Sequence, residues 1–112
     1  MPSMTLEEAL ISVWRQSLAE DANLVALEGH RFPVRRTSRQ RLRQVEFEFQ
    51  GEQFRGIEQN PRTRSRWAGL ARAGQKVMQF VSGGRYLANV AEGAVTFYRP
   101  PGGAGRKPAP LA

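Results

Sequence analysis

Turn signals recur so closely in this chain that most of its strands have room only for hairpins. Glu28-Gly29-His30, Gly51-Glu52, Gly83-Gly84 and Glu92-Gly93 each offer a glycine that accepts the positive φ of a tight turn. Short apolar or alternating runs flank them. Leu24–Leu27 and Arg31–Arg36 bracket the first, and Val45–Phe49 and Phe54–Ile57 the second. Lys76–Val81, Tyr86–Val90 and Ala94–Tyr98 bracket the last two. Parallel pairing needs a crossover of about a dozen residues or more, which most of these connections cannot supply. The expectation is therefore an antiparallel sheet of hairpins ending in a three-strand meander.

Val45-Glu46-Phe47-Glu48-Phe49 alternates cleanly, apolar side chains inward and acids outward. With Gly51-Glu52 as the turn, Phe49 faces Phe54, Glu48 faces Arg55 as a cross-strand charge pair, and Gly56 lies opposite Phe47. Pro33 cannot donate to a ladder, which pushes its strand towards an edge.

Two segments carry helical periodicity instead. Thr5-Leu6-Glu7-Glu8 reads as a capping box, and Leu6, Leu10, Val13, Trp14 and Leu18 share one face. This predicts a helix over about residues 5–20 with Trp14 as its main core contact. Asn60-Pro61 and Gly74 frame a second: Asn60 caps, Pro61 fits the first helical position, and Gly74 ends it. Trp67, Leu70 and Ala71 would face the core. The predicted class is α+β, with two short helices packed on a mostly antiparallel sheet that stays open or curls into a partial barrel. Residues 1–99 form one domain, and the Pro/Gly-rich stretch 100–112 is expected to be a disordered tail.

Charge is distributed unevenly. Residues 1–28 carry a net −4, residues 29–76 a net +8 and residues 77–112 a net +3, which together give the chain's +7. Arg31, Arg35, Arg36, Arg39, Arg41 and Arg43 occupy a stretch without a single acid. Arg39, Arg41 and Arg43 alternate, so an extended backbone would set all three on one side. Arg62, Arg64 and Arg66 crowd the start of the second helix, where the helix dipole already presents positive charge. Arg62 and Arg66 also form a like-charge pair four residues apart. A local rule broken without compensation marks a candidate binding site, and an anion is the missing compensation. The candidate polyanion-binding residues are thus Arg35, Arg36, Arg39, Arg41, Arg43, Arg62, Arg64 and Arg66. Arginine outnumbers lysine fifteen to two, so a genome rich in arginine codons is a competing explanation for the same charge.

Catalytic chemistry has little to work with. The chain has no cysteine, one histidine, His30 in a turn signal, and one aspartate, Asp21 at a helix end. Glu46 and Glu48 share a strand face, but their alternation with core residues marks a solvated surface. No phosphate-binding glycine loop of known spacing is present. The expectation is a non-enzymatic protein without metal or cofactor. No apolar run approaches the roughly 20 residues of a membrane-spanning helix, and no signal sequence is evident, so a cytoplasmic location is expected and no membrane partner. The expected partner is nucleic acid or another polyanion. The alternative is a protein-interaction domain or accessory subunit with a protein partner and no nucleic-acid role.

Overall fold

The computed structural model describes residues 4–39, 41–59 and 76–98. Among the described residues one helix, α1 (Leu6–Ser17), precedes seven strands. These are β1 (Leu24–Leu27), β2 (His30–Arg36), β3 (Arg43–Phe49), β4 (Glu52–Glu58), β5 (Val77–Ser82), β6 (Arg85–Ala91) and β7 (Ala94–Phe97). They form one sheet in sequence order, every neighbour antiparallel. The predicted second helix, with Trp67 and Arg62, Arg64 and Arg66, and the predicted tail all lie outside the described residues.

The capping box forms as the sequence implies. The Glu8 N–H donates to Thr5 Oγ1 at 3.1 Å, and the Thr5 N–H donates to Glu8 Oε1 at 3.0 Å. The backbone donor, helped by the hydroxyl, holds the Glu8 carboxyl below its ordinary pKa. At the other end, Lys76 Nζ donates to the Leu18 carbonyl at 2.9 Å, placing a cation where the helix dipole is negative. The buried face of α1 centres on Ala9, Leu10, Val13 and Ser17. Trp14 is therefore not the main core contact. It is half-buried at the flank, and its indole Nε1–H donates to the Lys76 carbonyl at 3.0 Å. An indole needs a polar partner, which draws it to the margin of an apolar interface.

All four tight turns have positive φ at both central residues, the type I′ pattern that matches strand twist. Glu28 and Gly29 sit at 47° and 83°, Gln50 and Gly51 at 52° and 80°, Gly83 and Gly84 at 59° and 75°, and Glu92 and Gly93 at 51° and 74°. The second turn is thus Gln50-Gly51 rather than Gly51-Glu52. The β3–β4 register shifts by two residues from the sequence expectation: Phe47 faces Phe54, Glu46 faces Arg55 and Val45 faces Gly56. A two-residue shift preserves which side chains point inward, so burial follows the predicted alternation. The expected charge pair exists with Glu46, not Glu48, as the acid: Arg55 Nη2 lies 2.8 Å from Glu46 Oε1.

Phe47 anchors the core. It stacks on Phe54 with ring centroids 5.3 Å apart and meets Phe80 edge-on at 6.0 Å. Gly56 gives up its side-chain space to the same cluster. A Cβ there would sit 2.8 Å from both Met78 Sδ and Phe80 Cε1.

The sheet does not close. Its edges are β1 and β7, and α1 packs against both as well as against β3, β5 and β6, so the sheet curves around the helix. Pro33 does not make β2 an edge. Instead the β2–β3 ladder begins only at Val34, while residues 30–33 of β2 pair with β1. The missing N–H of Pro33 falls where a bond to β3 would otherwise continue. No helix among the described residues is long and apolar enough to cross a membrane.

Candidate nucleic-acid interface

The β2–β3 connection is built around Thr37. Its N–H donates to the Leu42 carbonyl at 2.9 Å, and its carbonyl accepts from the Arg41 N–H at 3.0 Å. Its Oγ1 accepts from the Leu42 N–H at 3.1 Å. Arg41 adopts φ 54°, a left-handed conformation more usual for glycine. The loop is therefore not extended, and the alternation of Arg39, Arg41 and Arg43 does not line them along one strand. Arg39 sits in the turn, Arg41 follows in the left-handed region, and Arg43 opens β3.

What the strands do align is Arg36 with Arg43. The Thr37–Leu42 backbone bond fixes the phase of this ladder. Arg36 and Arg43 consequently form a non-hydrogen-bonded pair, the geometry in which opposed Cα atoms approach to about 4.5 Å and side chains are closest. Both lie on the face that carries Val34 and Val45, at its rim. The Arg43 N–H points towards β4, where Glu58 Oε1 accepts it at 3.0 Å. Glu58 thus braces the strand end through the backbone. Among the described residues, the ion pair within 4.0 Å is Arg55–Glu46, and no carboxylate oxygen lies that close to the guanidinium groups of Arg35, Arg36, Arg39, Arg41 or Arg43.

Arg35 lies elsewhere. Consecutive strand residues face opposite ways, so Arg35 points to the outer face of the sheet, beside Gln44 and in a cleft shared with Pro33 and Glu46. The structure therefore groups Arg36, Arg39, Arg41 and Arg43 at one rim and separates Arg35 from them. At that same end the chain leaves β4 at Gln59 and re-enters β5 after Lys76, with the Gln59 N–H bonded to the Val77 carbonyl at 2.8 Å. The connection that carries Arg62, Arg64 and Arg66 in sequence starts from β4, the strand next to Arg43, and finishes at β5, one strand further, though those three residues are outside the described ones.

Two contributors were not evident in the sequence. The hydroxyl of Thr37 braces the loop by accepting from the Leu42 N–H. Glu58 belongs to no sequence motif, and only the register shows it opposite Arg43. His30 sits at the far end of β2, exposed, with its ring 6.4 Å from Phe32. Among the described residues no group of three His, Asp or Glu side chains gathers in a way that would hold a metal ion. Comparison with protein-family models, curated proteins and solved structures finds no match to this chain.

Proposed function

We propose that this protein is a non-enzymatic module that binds nucleic acid or another polyanion at the arginine-bearing rim formed by the β2–β3 connection. The observation that carries the reading is the Arg36–Arg43 pair. Two like charges directly opposed across a ladder destabilise it, and the carboxylate beside them, Glu58, is bonded to the Arg43 backbone N–H rather than to either guanidinium group. A phosphate between the two guanidinium groups would turn that repulsion into paired charge-assisted hydrogen bonds. Arg39 and Arg41 extend the positive rim across the loop. Arg62, Arg64 and Arg66 belong to the same proposed site, because their segment is tethered at this end of the sheet. Arg35 would contribute from the outer face to a strand passing over the rim.

These are phosphate contacts, so the reading implies low sequence preference and a steep salt dependence. The test is titration of labelled single-stranded and duplex oligonucleotides over a series of salt concentrations, with the chain and with Arg36→Ala/Arg43→Ala. Each arginine removed should reduce the slope of log K against log salt by roughly 0.7 to 0.9. Folded stability should hold or rise, because the removed charges repel one another. No binding at low salt, or binding indifferent to salt, would reject the proposal.

A further inference from the structure

Hydroxyl groups among the described residues are mostly engaged or hidden. Thr5 Oγ1 accepts from the Glu8 N–H, Thr37 Oγ1 from the Leu42 N–H and Ser12 Oγ from Gln16 Nε2, while Ser82 Oγ donates to the Gln53 carbonyl. Ser17 is fully buried. Ser38 is different. It is exposed in the turn that follows β2, and no hydrogen bond joins its hydroxyl to a described residue.

Its neighbours are cationic. Arg35 and Arg36 precede it by three and two residues, Arg39 follows it directly, and the chain has no acid from Gly29 to Val45. The segment leading to it is also extended and open along one side. β1 pairs with residues 30–33 of β2, and beyond them the Val34 N–H donates to the Asn23 carbonyl. Past that bond, the side of β2 away from β3 faces no described strand. Arg36 is in a non-hydrogen-bonded pair with Arg43, so its own N–H and C=O turn to that open side.

We infer that Ser38 is a phosphorylation site for an arginine-directed protein kinase, and that its phosphate closes the rim to polyanions. The consequence for the rim rests on the polyanion reading; the modification itself does not. A kinase takes its substrate as an extended segment, and carboxylates beside its groove select arginines ahead of the serine. In the transfer, Ser38 Oγ bonds to the γ-phosphorus of ATP as the bond to the bridging oxygen breaks. ADP leaves, and the hydroxyl proton passes to the kinase's catalytic carboxylate. The product carries a charge of about −1.5 to −2. Two residues of chain place the Ser38 Cα no more than about 7 Å from that of Arg36. The phosphate thus lies within reach of Arg36, Arg39 and, across the ladder, Arg43. It supplies from within the chain the anion that the Arg36–Arg43 pair lacks.

The test treats the full chain with magnesium, ATP and the catalytic subunit of cyclic AMP-dependent kinase, a probe that selects serine after paired arginines. Fragmentation mass spectrometry should locate phosphate on Ser38, and Arg35→Ala/Arg36→Ala should slow its incorporation about tenfold or more. Phosphorus NMR then follows the phosphoserine signal that Ser38→Ala lacks. Its second ionisation should fall below the ordinary value of about 6, because guanidinium groups favour the dianion. It should return towards that value in Arg43→Ala, which leaves the arginines ahead of the serine in place. The modified chain should bind oligonucleotides more weakly, with a slope of log K against log salt smaller by roughly 1 to 2. Phosphorylation and titration are read without oligonucleotide, so they stand apart from the polyanion reading, whose own test uses the unmodified chain. A folded chain left unmodified at Ser38, or a phosphoserine titrating at its ordinary value, would overturn the inference. So would a modified chain that binds oligonucleotides as tightly as before.

Discussion

The side-chain amide of Gln16 reaches from α1 to the backbone of Ala26 and satisfies both of its outward polar groups, at 2.8 Å each. The helix thereby does two jobs: its apolar face fills the concave side of the sheet, and one polar residue seals an edge. Gln16→Ala should lower stability by about 1–2 kcal/mol, the net worth of two ordinary hydrogen bonds. It should also open β1 to pairing with other chains. Chemical denaturation measures the first effect, and light scattering during heating the second. Gln16→Glu, which keeps the acceptor and loses the donor, should fall between.

Arg41 holds a backbone conformation that a residue with a Cβ adopts at a cost of about 1–2 kcal/mol. Arg41→Gly should therefore raise stability by about 0.5–1 kcal/mol, after allowing for the added freedom of glycine in the unfolded chain. The same change removes a cation from the rim and should weaken oligonucleotide binding. Thermal melts and binding isotherms of the one variant read the two effects separately. Unchanged affinity would show that Arg41 stands outside the contact surface.

Gly56 leads to the opposite expectation for a substitution that is usually mild. Gly56→Ala would press a methyl group against Met78 Sδ and Phe80 Cε1, both 2.8 Å from its position. Phe80 is itself pinned edge-on against Phe47. Overpacking of this kind costs about 1–3 kcal/mol, readable as a lowered denaturation midpoint with an unchanged slope.

Tyr98 makes the stability sensitive to alkali. Burial pushes its phenol from 10.0 to about 12, with Tyr86 adding to the rise and a hydrogen bond with Gln79 opposing it. The folded state thus favours the protonated form. The resulting contribution is complete below pH 10 and declines as the pH climbs towards about 12. Tyr98→Phe should abolish that part of the alkaline loss. It should also remove the later-titrating component from the ultraviolet absorbance of a chain that has two tyrosines.

Much of this architecture was legible because the signals were local. The Thr5–Glu8 capping box, the alternation of residues 45–49 and the glycine-bearing turns each contain their own reason within a few residues. The β3–β4 register was not, because Gln50-Gly51-Glu52 allows glycine at either turn position. The strand twist selects the version with Gly51 second and forces Gln50 to positive φ. The bulk of Trp14 is no guide to its depth, because Leu10 and Val13 are the side chains fully buried in the concavity. Of the rim, the sequence offers the density of arginine but not its partition. That Arg36 meets Arg43 while Arg35 turns away depends on the span of the Thr37–Leu42 connection. No residue in that loop announces its length.

The strictly sequential strand order bears on how the chain assembles during synthesis. Every strand after the first pairs with the strand made before it, so the sheet can grow by successive closures as it emerges from the ribosome, short ones except across residues 59–76 between β4 and β5. The helix is the exception. It is made first, yet part of its greasy face awaits the last three strands, and the bond from Lys76 to Leu18 spans 58 residues. Until those strands arrive, Leu10 and Val13 lack part of their shelter, and the nascent chain passes through its most vulnerable stage with its first element only partly housed.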